Sequence, residues 1–382
     1  MSRRVLFVWM LVSALAVVVP KAWAQRPPQM DPPSGVITQD VVMSWDRSAI
    51  PASIELWPRR TLIAHDHLDP SKQYGALFFT CVSASDSATG RCAVEDTHDT
   101  TKGAFSEIAV AFTEQRTGLR YDTWVSSAIE RIDATGSCSA DYWRSTIYWP
   151  HSSSGNGCFG LEQVGMGGVL LLNEKSLQRL TAGHWKGTLE LRLRRPPSEH
   201  LATYVFNFDF TITDYDAVAI YLPGFENGNA NVNMDLRYDP RISIGNIAGS
   251  KDVDMCLYDG LGSQSEYLGV TVRDTGSNPS TGDDYSLWHR DATGDERERV
   301  SFNVWLNYAG SKRRMRNGVE EQLLGVDKTA LRLVKLPKLD QPVYCVPTPI
   351  TLETPAFTAS SKREGVYTGE LKVELRVPTV RP

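Results

Sequence analysis

Apolar and polar residues alternate with a period of two along most of the chain. In the clearest run, Tyr204 to Thr213 (YVFNFDFTIT), Tyr204, Phe206, Phe208, Phe210 and Ile212 share one face, and Asn207, Asp209, Thr211 and Thr213 the other. Successive side chains of a strand point to opposite faces, so this is a half-buried strand. Just upstream, Leu189, Leu191 and Leu193 alternate with Glu190, Arg192 and Arg194, and the intervening PPSEH predicts a hairpin with arginines near its turn. Shorter runs repeat the pattern at Val218, Ile220 and Leu222, at Val232, Met234 and Leu236, and at Val253, Met255 and Leu257. Others follow at Phe302, Val304 and Leu306, and at Leu371, Val373, Leu375 and Val377. Gly, Ser, Asp and Pro punctuate them, which predicts an all-β sandwich or barrel. Helical periodicity is weak; one short helix is expected around Glu320 to Leu333. Residues 25–36 (QRPPQMDPPSGV) read as an extended arm.

Arg195 has the parity of the leucines before it. It therefore either sits at the lip of the core or turns out of the sheet where Pro196 and Pro197 end the ladder, since proline has no N–H to donate. The plain reading of LRLRRPP is a solvated basic edge that discourages aggregation.

The first residues change the picture of where this happens. Arg3 and Arg4 precede an apolar run, and Ala22-Trp23-Ala24 supplies a small-residue cleavage site, so residues 1–24 read as a secretory signal peptide. No later segment approaches the length of a spanning helix, and a soluble, exported protein is expected. Removing Arg3, Arg4 and Lys21 with the leader shifts the formal net charge from −5 to −8, which offers no broad basic field for nucleic acid. All six cysteines, Cys81, Cys92, Cys138, Cys158, Cys256 and Cys345, fall in the exported part, which favours disulfides. Of the possible connectivities, nearest neighbours are expected: Cys81–Cys92, Cys138–Cys158 and Cys256–Cys345. Chain-entropy arguments give about 3 kcal/mol for each short bridge and about 4.5 for the long one.

Motifs that carry chemistry are scarce in the chain. The G-x-S-x-G, phosphate-loop and H-E-x-x-H patterns are absent, and there is no C-x-x-C. His65-Asp66-His67 places two imidazoles on one side of a strand, but with no third ligand nearby it reads as a surface turn. SSSGNG at 152–157 reads as a loop tied by Cys158, and DTGSNPSTGDD at 274–284 as a mobile loop without calcium-loop spacing. Asp283-Asp284 and Glu296 with Glu298 read as solvated charge clusters. No catalytic residue, metal or cofactor is expected.

DVDMCLYDG at 252–260, PVYCVP at 342–347 and GVYTGELKVEL at 365–375 resemble the pilin domain of class 5 fimbrial tip adhesins, the CblD-like pilus-biogenesis-initiator family of Gram-negative bacteria. The likeness extends to FTEQRTG at 112–118, to the spacing of Cys81 and Cys92, and to the order strand, RR, strand, ITD, YLPGF across 188–225. It implies two tandem immunoglobulin-like β-sandwiches: an adhesin domain over 25–214, a linker at 215–217, and an incomplete pilin domain over 218–382. The pilin domain would borrow a strand from a periplasmic chaperone and then from the next pilin, because an inserted strand satisfies both an apolar groove and its unpaired backbone edges. The resemblance also implies a basic receptor-binding patch. Arg195 matches its first arginine and Arg194 the preceding lysine, while Pro196 and Ala76 stand where two further basic residues would be. A guanidinium there suits a carboxylate or sulfate on a host glycan, and Trp143 and Trp149 are candidates for stacking on sugars or for the core.

The expected function is thus a non-enzymatic minor tip subunit of a fimbria. It initiates assembly by the alternate chaperone-usher route and adheres to host-cell glycans, with a chaperone, an outer-membrane usher, a major pilin and a host-surface glycan as partners. One alternative is a structural initiator or cap without receptor binding; another is a secreted glycan-active hydrolase, against which the lack of a recognisable acid pair speaks.

Overall fold

The computed structural model describes residues 25–136, 141–155, 161–225, 230–239, 245–337, 339 and 341–378. The expected signal peptide, and Cys138 and Cys158, lie outside them. Regular structure among these residues is almost entirely strand. The α-helix Glu174–Leu177 is a single turn, and no described helix is long and apolar enough to cross a membrane.

The first half contains β1 (Gly35–Asp46), β2 (Ser53–His65), β3 (Phe78–Thr80), β4 (Ser106–Glu114), β5 (Arg120–Asp133), β6 (Trp143–Tyr148), β7 (Gln163–Asn173), β8 (Gly183–Arg195) and β9 (Glu199–Thr213). They form one sheet in the order β1-β9-β8-β4-β5-β7-β2, with β3 on β8 and β6 on β5. The sheet curls back on itself. Trp57 of β2, at one end of that order, packs its ring 4.9 Å from Tyr204 and 5.5 Å from Phe206 of β9, near the other. The alternation in YVFNFDFTIT is realised directly: Phe206, Phe208, Phe210 and Ile212 are buried, and Leu189, Leu191 and Leu193 of the paired β8 join them. β1 runs parallel to β9 and adds Val41 and Trp45 to this core.

The second half begins with β10 (Ala219–Tyr221), β11 (Arg237–Asp239), β12 (Asn246–Val253), β13 (Cys256–Tyr258), β14 (Tyr267–Asp274), β15 (Tyr285–His289) and β16 (Arg299–Tyr308). It continues with β17 (Ser311–Met315), β18 (Glu320–Leu324), β19 (Arg332–Val334), β20 (Val343–Pro347), β21 (Ile350–Thr358), β22 (Tyr367–Thr368) and β23 (Leu371–Arg376). Its sheets run β10-β13-β20-β19, β11-β12-β21-β16-β15-β22 and β18-β14-β23. A separate core gathers Val253, Met255, Leu257, Val270, Phe302, Val304, Leu306 and Leu352. The fold is two-domain and all-β.

Four expectations are corrected. The segment around Glu320 to Leu333 is not a helix but β18, a 3₁₀ turn at Val326–Lys328, and β19. Pairing of β18 with β14 and the left-handed backbone of Gly325 (φ 72°) override its weak helical spacing. His65 and Asp66 are buried rather than on a surface turn, because the proline-rich arm covers the end of β2: Met30 and His65 exchange two backbone hydrogen bonds of 2.8 Å. Glu298 is buried and paired with Arg363 at 2.7 Å, not part of a solvated cluster. The 274–284 loop is pinned by the buried Asp274 carboxylate, which accepts from the amides of Gly276, Ser280 and Ser286.

The halves meet through a small cluster that includes Ala182, Ala217, Tyr258 and Val343. Asp214 N–H donates to Gly260 O at 2.7 Å, and Arg116 reaches across to the carbonyls of Val326 and Thr329 at 2.7 and 3.1 Å. At Gly262 (φ 69°) a Cβ would lie 2.8 Å from the Cα of Gly183, so the backbones approach too closely for any side chain. Disulfides join Cys81 to Cys92 and Cys256 to Cys345.

Candidate functional site

The hairpin end carries both arginines that the sequence singles out. A bulge at Leu193/Arg194 shifts the register, so that Arg194 faces His200 and Arg195 faces Glu199. A bulge re-aims the side chains that follow it. Arg194 and Arg195 are accordingly both half-buried. Arg194 donates through Nε to Thr80 Oγ1 at 3.0 Å and through Nη1 to Ser198 O at 3.1 Å. Arg195 Nη1 lies 3.3 Å from Glu199 Oε2, its Nε is buried without a partner among the described residues, and its guanidinium sits 5.8 Å from the centroid of the Tyr74 ring.

Tyr74 belongs to a 3₁₀ turn, Tyr74–Ala76, entered through the left-handed Gln73 (φ 56°). Its ring is buried, and its hydroxyl donates to Asp31 of the proline-rich arm at 2.5 Å. Lys72 bridges Asp31 at 3.1 Å and Asp66 at 2.8 Å. Burial, then the bond to Asp31, pushes the Tyr74 phenol up to about 12. Asp31 is held low, first by the Tyr74 hydroxyl and then by Lys72; Lys72, ahead of the amides of Leu68 and Asp69, lowers Asp66 to about 2. The same arm closes over His65, whose Nδ1 meets Pro28 O at 3.0 Å and whose ring stacks 5.7 Å from His67. Burial lowers the His65 pKa. Tyr74, Lys72 and Asp31 escaped sequence reasoning because no local periodicity signals them; they converge only through tertiary folding.

Beside the turn a polar trough of about 610 Å³ is lined by Gln73, Ala76, Thr100, Ser153, Ser154 and Gln163 among others. Ala76, where the resembling adhesins are basic, is part of its wall. Trp143 and Trp149 are half-buried; Trp143 meets the Arg60 guanidinium at 5.7 Å and packs over Gly167 of β7, where a Cβ would stand 2.4 Å away. Arg131 of β5 is fully buried and donates to Leu77 O and Ser152 O at 2.6 and 2.7 Å.

The second half carries a groove of about 890 Å³ floored by apolar side chains, including Val232, Val253, Phe302, Ile350 and Leu352. Its flanks are Ile220 of β10 and Leu371 and Val373 of β23. Both strands end their sheets: among the described residues β10 bonds only β13, and β23 only β14. Leu371, Val373 and Leu375 are directed at the core yet only half-buried. A separate hollow of about 480 Å³ is lined by Leu236, Val300 and Phe357 among others. This arrangement can accept one more strand, which would cover the apolar floor and pair with open edges.

Models of the CFA/I fimbrial protein CfaE match this chain in two parts: its first domain over residues 20–215 and its second over 218–379. CfaE of Escherichia coli is 25% identical over 309 residues, which is 78% of this chain and 80% of that protein. The crystal structure of CfaE, the adhesive subunit of CFA/I fimbria of enterotoxigenic Escherichia coli, superposes with a TM-score of 0.68 at 21% identity, covering 93% of this chain and 95% of that one. A chain from a chaperone-tip adhesin complex of CFA/I fimbriae biogenesis gives 0.66 at 21% identity, with coverage of 93% and 99%.

Proposed function

Because the chain belongs to the CfaE family of class 5 fimbrial tip adhesins, we propose that it is a minor tip subunit that initiates a fimbria and attaches it to host-cell glycans. In this reading residues 25–214 form the adhesin domain, 215–217 the linker and 218–382 the pilin domain. The open groove between β10 and β23 carries the proposal. It is occupied first by a strand of a periplasmic chaperone, then, at an outer-membrane usher, by a strand of the major pilin. The relative with a chaperone-tip adhesin complex supports the first of these steps. Arg194 and Arg195 are the receptor contacts, presenting guanidinium groups to a carboxylate or sulfate. Single contacts of this kind are weak, and many fimbriae on one cell supply avidity.

The test is expression of the full chain alone, with the chaperone, and with a peptide of the major pilin's amino-terminal segment. Soluble, cooperatively melting protein is expected only with a partner; a free chain that melts cooperatively and gains nothing from either would overturn the reading. A purely structural tip cap is the second reading. It is favoured by the internal bonds that Arg194 and Arg195 already make to Thr80, Ser198 and Glu199. Arg195→Ala separates the two readings: lost adherence with fibres still visible by electron microscopy supports receptor binding, and unchanged adherence supports the cap.

A further inference from the structure

Resting on the reading of Arg195 as an anion contact, the geometry points to Tyr74 and Asp31 as positioning residues for it: the proline-rich arm holds the Tyr74 ring, and the ring holds the guanidinium. Among the described residues Arg195 has a single ion pair, to the exposed Glu199, and its buried Nε has no acceptor. That pair alone cannot fix a long side chain, since an exposed ion pair opposes its own ordering entropy. The face of Tyr74 at 5.8 Å supplies the second constraint, within the range of a cation–π contact.

The ring is held in turn. It is buried, and its hydroxyl donates to Asp31 at 2.5 Å. Donation to a carboxylate enriches the π-face that Arg195 meets. Asp31 lies on the arm, and Lys72 fastens it to Asp66, the residue that follows β2. Gln29 adds a bond to Asp66 at 3.1 Å, and Met30 its backbone pair with His65. The proline-rich arm thus forms part of the receptor face, although none of its residues needs to touch a ligand.

The experiment uses the full mature chain, co-purified with its chaperone and labelled with nitrogen-15 arginine. Arg195→Lys identifies the Arg195 Nε–H resonance by its loss. That resonance is expected to be displaced by the aromatic ring in the parent, to return towards the exposed-arginine position in Tyr74→Leu, and to shift by a smaller and similar amount in Asp31→Ala and Tyr74→Phe, which both remove the hydroxyl–carboxylate bond. Asp31 is solvent-exposed, so its variant decides the matter if Tyr74→Leu does not fold. An Arg195 resonance unmoved by Asp31→Ala and by Tyr74→Leu overturns the proposal.

Binding is read in parallel on immobilised heparin and sialyllactose, with lactose as the uncharged control. Tyr74→Leu is expected to weaken anionic-glycan binding about two- to fivefold, the equivalent of one exposed cation–π contact, and Asp31→Ala to weaken it less, by about as much as Tyr74→Phe, since both lose the same hydrogen bond. Binding that depends on Arg195 but ignores Tyr74→Leu and Asp31→Ala also overturns the proposal. Absent binding, or binding indifferent to Arg195→Ala, defeats the receptor reading instead, while the resonance still decides the positioning.

Discussion

At the scale of single residues, the molecule relies on polar side chains buried against backbone carbonyls and against one another. Arg131 satisfies two carbonyls from two different loops in a fully buried site. Arg131→Ala leaves both acceptors unpaired, and a loss of about 2–4 kcal/mol is expected in urea denaturation of the partner-complemented protein. His65 gives a pH dependence. Burial depresses its pKa below 6.5, so the folded form binds fewer protons than the unfolded one; the arm's attachment is complete above the unfolded value and weakens as pH falls below it. Amide exchange of Met30 is therefore expected to speed up between about pH 7.5 and 5.5 relative to core amides, and His65→Gln to flatten that change. His151, also depressed by burial, acts with the same sign elsewhere, which is why the readout is local to the arm. None of this is legible in the sequence. His65-Asp66-His67 looks like a polar turn until the arm is seen to cover it, and Arg131 has the parity of a buried position but the chemistry of an exposed one.

At the scale of elements, alternation is a reliable guide where a strand has one wet face. The β8–β9 hairpin and its inward Leu and Phe residues were readable from YVFNFDFTIT and LELRLRR alone. The bulge at Leu193/Arg194 was not, since a register shift depends on the partner strand and leaves no mark on spacing. The 320–333 segment failed for a related reason: short mixed runs take whichever structure their neighbours impose. The turn beneath Arg195 depends on Gly75, where a Cβ would fall 2.2 Å from the Gln163 carbonyl oxygen of β7. Backbone cannot yield as a side chain does, so Gly75→Ala is expected to cost about 1–3 kcal/mol and to displace the Arg195 resonance along with the turn. A Gly75→Ala protein of parent stability would show that β7 and the turn separate freely.

At the scale of the whole molecule, the two cores differ in how they are closed. The first is sealed by a sheet curled over aromatic side chains and holds the short Cys81–Cys92 bridge; the second has an unfilled groove, and the longer tie of that half, Cys256–Cys345, spans 89 residues in the cluster where the halves meet. Replacing both cysteines by serine is expected to lower the stability of the second half by about 4.5 kcal/mol on the chain-entropy model, with the first half's unfolding transition unmoved in calorimetry. The need for a borrowed strand was legible only through resemblance, because a gap between β10 and β23 is a property of topology and not of any run of residues. The gap also makes thermal resistance a shared quantity rather than a private one: at a free-strand concentration about a thousand times the dissociation constant, mass action adds about 4.1 kcal/mol. On that account the last step of folding becomes a fuel. In the proposed assembly, polymer growth is driven by the half-finished protein itself, and a finished fibre is held by the same free energy that its first member lacked when it was made.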